Sequence, residues 1–143
     1  MATPDELRTQ LESARAEFRK ALEAAGSGWE QKPAGGEGEE AWSPRQVAEH
    51  AIGTETYFAT SICKACGYPG VDPIETDFPT ADVAVTAFDA AVEACNKKLK
   101  HVSAEDLAQS HDRLGSVENI FQMDISHMTD HAQQIRNAVG ATA

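Results

Sequence analysis

Four hydroxyl residues, Thr3, Ser43, Thr80 and Ser116, each stand directly before a helix-length stretch whose apolar residues recur every three or four positions. A hydroxyl there accepts from the N–H groups that a first helical turn leaves unpaired, and a stripe of that period buries one face of a helix. At Thr3-Pro4-Asp5-Glu6 and Ser43-Pro44-Arg45-Gln46 the signal is doubled. Proline occupies the first helical position, and Glu6 or Gln46 is placed to close a capping box. The inward stripe of the first stretch runs Leu7, Leu11, Ala14, Phe18, Leu22 and Ala25. That of the second runs Val47, His50/Ala51, Thr54, Tyr57/Phe58, Ser61/Ile62 and Ala65. The third runs Ala84/Val85, Phe88, Ala91/Val92, Cys95 and Leu99, and the fourth helix extends to about Val139. Gly26, Gly67 and Gly140 mark helix ends, and Lys97, Lys98 and Lys100 complement the dipole at the end of the third helix.

Four long helices and no alternating strand pattern predict an all-α four-helix bundle with long connecting loops, one domain over residues 1–143. The apolar share, 41% of 143 residues, is enough for one core. Gly26 to Ala41 carries five glycines and a proline around one aromatic anchor, Trp29, and reads as a loop able to lie over a site. Gly67 to Pro79 is a second connection, and Ser103 to Leu107 reads as a single helical turn.

Twelve basic residues against 23 acidic ones leave a net charge of −11, which repels nucleic acid and anionic lipid alike. With neither a membrane-length apolar run nor the pattern of a secretory signal at the start, the expectation is a cytoplasmic protein.

The chemistry concentrates on the fourth helix. At about 100° per residue, Asp124 lies about +60°, His131 about +40° and Gln134 about −20° from His127, within one arc of an otherwise core-facing stripe. Burying unpaired polar groups costs about 1–3 kcal/mol each, so the strip needs a reason. A His-x-x-x-His pair alone is a weak signal, and a buried histidine satisfied by a neighbouring hydroxyl is commoner than a ligand. A second inward histidine, His50, adds a third imidazole from a facing helix. Three such nitrogens form a face for a divalent metal, with at least one coordination position open. Asp124 either orients His127 or His131 or hydrogen-bonds a neighbouring helix. Thr54 is small enough to leave room beside the metal, and Tyr57, two turns on from His50, is placed to donate a hydrogen bond. His101 and His111 read as solvated or capping residues.

Cys63-Lys64-Ala65-Cys66 ends a helix, where the dipole favours the neutral thiol, and lies about 20 Å along the axis from His50. With Cys95 these read as structural cysteines.

Trp42-Ser43-Pro44-Arg45-Gln46-Val47-Ala48-Glu49-His50 and His127-Met128-Thr129-Asp130-His131-Ala132-Gln133-Gln134-Ile135 together resemble the second-helix and last-helix signatures of the DinB-like (DinB/YfiT-like) metalloenzyme superfamily. The order of elements fits it over nearly the whole chain. The resemblance implies a four-helix bundle, often a homodimer, with His50, His127 and His131 as metal ligands. The metal it implies is zinc first, with nickel, iron or manganese as alternatives. It further implies a thiol-dependent S-transferase or isomerase that joins a low-molecular-weight thiol, such as mycothiol or bacillithiol, to a small electrophile. DNA repair is not implied. The extra C-terminal domain frequent in the mycothiol-dependent isomerase branch is not expected here, and a metal-binding, stress-related dimer without turnover is the alternative reading.

Overall fold

The computed structural model describes residues 2–33 and 35–140; Met1, Ala34 and Ala141 to Ala143, over which the single-domain reading also extended, lie outside them. Four helices carry the fold: α1 (Pro4–Ala24), α2 (Pro44–Cys66), α3 (Ala81–Leu99) and α4 (Val117–Gly140). The caps are those the sequence signals. Thr3 and Ser43 each close a reciprocal box with Glu6 and Gln46, Thr80 accepts from the Val83 N–H, and Ser116 Oγ accepts from the Asn119 N–H at 3.1 Å. Gly67 ends α2 at φ 79°, a left-handed cap that a residue with a Cβ adopts only under strain. The first helix stops slightly short of the expected place, at Ala24, and Gly26–Gly28 continues it as one tighter 3-10 turn that keeps Ala25 in the core.

Helix α4 lies against both α1 and α2, and α3 closes the bundle by packing on α2 and α1. The core falls into two layers. One holds Phe18, Trp29, Ile52, Phe88, Met128 and Ile135, with the Phe18 and Phe88 rings 5.0 Å apart. The other holds Leu7, Leu11, Phe58, Ile62, Leu99 and Phe121.

The expected turn near Ser103 is present as a 3-10 turn at Glu105–Ala108. After it comes a minimal hairpin that periodicity does not reveal, β1 (Ser110–His111) paired antiparallel with β2 (Gly115–Ser116). Two-residue strands are too short to show alternation, and the turn instead depends on Gly115 at φ 83°. Among the described residues no helix is long and apolar enough to cross a membrane.

The two long connections meet over one end of the bundle. Trp29 is buried and its Nε1–H donates to the Phe78 carbonyl at 2.8 Å, while Arg45 bridges Glu30, Glu49 and Asp77. Trp29 therefore pins the first loop to the second from inside the core. It does not cover a site, as its place in a glycine-rich loop suggested; an aromatic that can reach the core is worth more buried there.

Candidate metal centre

His50 comes from the first third of α2, and His127 and His131 from successive turns of α4. The i, i+4 spacing puts the two α4 rings one above the other, and the packing of α4 on α2 brings His50 across to them. His127 Nε2 is 3.3 Å from His50 Nε2 and 2.9 Å from His131 Nε2. One nitrogen from each ring lies within 4.8 Å of the others. Donors bound at about 2.0–2.1 Å sit about 2.9 Å apart when they subtend a right angle at the ion and about 3.3 Å apart at the tetrahedral angle. The two short separations span that range.

Proton placement supports the same fit. The Gln134 side-chain N–H donates to the Glu39 carbonyl, so its Oε1 faces His131 Nδ1 at 2.7 Å and requires an N–H there. A neutral His131 then presents a bare Nε2 lone pair to the cluster. Nδ1 of His127 is buried with no partner among the described residues, and its Nε2 meets both of the other rings. Three converging ring nitrogens are poor partners for one another and good partners for a divalent cation.

The surroundings keep the two α4 rings neutral. Burial, then repulsion by His131 and His50, lowers the His127 pKa to about 4. Burial is also the main cause of a lowered His131, opposed by its bond to Gln134. Trp42 presses edge-on to His50 with ring centroids 5.3 Å apart, and Phe58 stands perpendicular to His127 at 5.5 Å. The cluster is thus walled on two sides, and its His127 ring borders a surface groove lined also by Phe58, Asn119, Gln122, Met123, Ser126 and Asp130.

The other candidates separate. Gln134 sits directly behind His131, with its Oε1 at 2.7 Å from Nδ1. The structure decides the choice left open for Asp124: it is fully buried and faces Glu55 of α2 and Arg15 of α1. Thr54 has its hydroxyl bonded back to the His50 carbonyl at 2.7 Å. Tyr57 is not inward but 46% exposed, against the edge of Phe58. His50 points into the seam between α2 and α4, so a residue on its meridian two turns on emerges at the rim. His101 is exposed, and His111 accepts from the Arg113 N–H.

Cys63, Cys66 and Cys95 are free thiols, and among the described residues the three histidines form the metal-capable cluster. Burial raises Cys63, and it raises Cys66 to about 11 and Cys95 to about 12, with neighbouring negative charge adding to the last two. Sequence reasoning missed the Glu39 carbonyl and the buried Arg15–Glu55 pair. The one is a loop backbone atom with no side-chain signature. The other was signalled by a charge interrupting an apolar stripe, between Leu11 and Phe18 in α1 and between Ile52 and Ala59 in α2.

A four-helix bundle with a trihistidine cluster between its second and last helices defines a class of helical, metal-capable proteins. The DinB superfamily profile matches residues 10–135, and the chain belongs to that superfamily. No curated protein and no solved structure matches it significantly.

Proposed function

We propose that the protein is a metal-dependent thiol transferase or isomerase, in which His50, His127 and His131 hold one divalent ion, zinc in the first place. A homodimer in the cytoplasm completes the reading. The observation that carries it is the convergence of three ring nitrogens, of which the His127 ring also borders a surface groove. A bound divalent ion supplies Lewis acidity and the positive charge that keeps a thiol deprotonated near neutral pH.

The chain supplies the rest. Three uncharged imidazoles leave the ion's charge uncompensated, which suits an anionic sulfur. Gln134 fixes the His131 ring with its lone pair inward, and Trp42 and Phe58 pack against the His50 and His127 rings. Phe58 and Met123 offer apolar surface for an electrophile, and Asn119 and Gln122 offer amides for the polar part of a thiol. The acidic surface disfavours a polyanionic substrate.

The test is an assay of bacillithiol, mycothiol and glutathione against chlorinated and epoxide acceptors, with metal-loaded protein and His131→Ala as control. Turnover above the control for one thiol–acceptor pair is the expected result. No rate with any pair, together with a cobalt-substituted spectrum unmoved by thiol, replaces this reading with that of a metal-binding bundle without turnover.

A further inference from the structure

Between the two layers of the core lies a polar node to which every helix contributes. Arg15 of α1 is 5% exposed, Glu55 of α2 and Asp124 of α4 are fully buried, and α3 brings the Cys95 thiol and the Asn96 amide. Arg15 donates through Nε and Nη2 to the same oxygen of Glu55, at 3.1 and 3.0 Å, and through Nη1 to Asn96 at 2.7 Å. Cys95 Sγ points at the Glu55 carbonyl. Among the described residues, the other oxygen of Glu55 and both oxygens of Asp124 have no N–H or hydroxyl to accept from. Two carboxyl groups therefore face each other in the core beside one guanidinium. A single proton on Asp124, directed at the free oxygen of Glu55, would balance the charge and pair two of the three orphan oxygens.

We infer that Asp124 keeps a proton and donates it to Glu55, and that this carboxyl pair clamps α2 to α4 and positions His50 opposite His127 and His131. Asp124 lies three residues before His127 and Glu55 five after His50, so the clamp closes the same seam about a turn from the histidine cluster. Burial and the charge and hydrogen bond of Glu55 hold the Asp124 carboxyl well above its usual range. The groups facing it are Arg15 from α1, Glu55 from α2 and Cys95 from α3. What the positioned histidines are for rests on the proposed metal function, but neither measurement below uses metal, so the two ideas fail separately.

The first measurement compares unfolding of wild type and Asp124→Asn in chelator from about pH 5 to about pH 7. The amide keeps a donor toward Glu55 but does not titrate, and histidine and cysteine titrations common to both proteins cancel in the ratio. Wild type should release one extra proton on unfolding, so its unfolding constant relative to the variant should rise about tenfold per pH unit. A flat ratio would show Asp124 ionised in the fold and overturn the inference. The second follows ring-proton NOEs between His50 and His127, whose centroids are 5.3 Å apart, in metal-free protein. They should persist in Asp124→Asn and vanish in whichever of Asp124→Leu and Asp124→Ala stays folded. Persistence in a folded Leu or Ala variant rejects the positioning role; if neither folds, the pH ratio alone decides.

Discussion

Replacing Gln134 by leucine should weaken metal binding without unfolding the protein. In the structure Gln134 joins the Glu39 carbonyl to His131 Nδ1, the latter at 2.7 Å, and so determines which nitrogen of that ring carries the proton. Leucine has nearly the same volume but can do neither. The His131 ring then becomes free to place its proton on Nε2 and to turn away from His50 and His127. Loss of such a partner behind a ligand typically costs 10- to 100-fold in metal affinity, or about 1.4–2.7 kcal/mol. The fold should lose less. Gln134 is only partly buried, and the net worth of its hydrogen bonds is about 1 kcal/mol each. The assay is a competition titration with cobalt(II) or zinc at about pH 7.5, with Gln133→Leu as control. Gln133 is exposed and bonds along its own helix, to Asn137, so its replacement should leave affinity unchanged. Equal affinity in wild type and Gln134→Leu, with both proteins folded, would refute the reasoning that the amide sets the ring's tautomer.

Two further outcomes follow from the same geometry. His127 is held near pKa 4 against an ordinary value of 6.5, so the unfolded chain binds more protons between those values and metal-free stability gained from this ring should rise with pH through that window. The full shift corresponds to about 3.4 kcal/mol, and partial exposure of the ring leaves roughly half; thermal melts of wild type against His127→Phe between about pH 4 and 7 read it, and a constant difference contradicts it. Cys63→Ser/Cys66→Ser should keep its metal while losing about 1–3 kcal/mol of stability, from a hydroxyl placed in the apolar layer around Ile62; loss of metal in elemental analysis of the folded double variant would show that these thiols reach the centre.

Much of this was legible in the residues, because helices announce themselves locally. Each start has a hydroxyl cap within a few residues of the stripe it opens, and caps and stripes interact over a turn or two. The trihistidine cluster was legible for a related reason. His127 and His131 are fixed relative to each other by helical pitch alone, and His50 needed only the assumption that its stripe faces theirs. What resisted reading depends on how helices meet. Tyr57 shares a meridian with His50, yet it is exposed because that meridian runs along a seam and out of the bundle. Trp29 and the Glu39 carbonyl act across long loops whose course no periodicity encodes. Arg15, Glu55 and Asp124 were each visible as a polar residue on a stripe, but their meeting is a property of the packed bundle.

The central claim is that three histidines from two helices hold one metal ion, and metal content per protomer measures it most directly. Wild type and His50→Ala are loaded with zinc, dialysed together and analysed by elemental analysis, with circular dichroism confirming equal helix content. His50 supplies one of the three converging nitrogens and stands alone on the α2 side. Wild type should retain about one ion per protomer and the variant little or none. Equal metal in the two proteins would contradict the account.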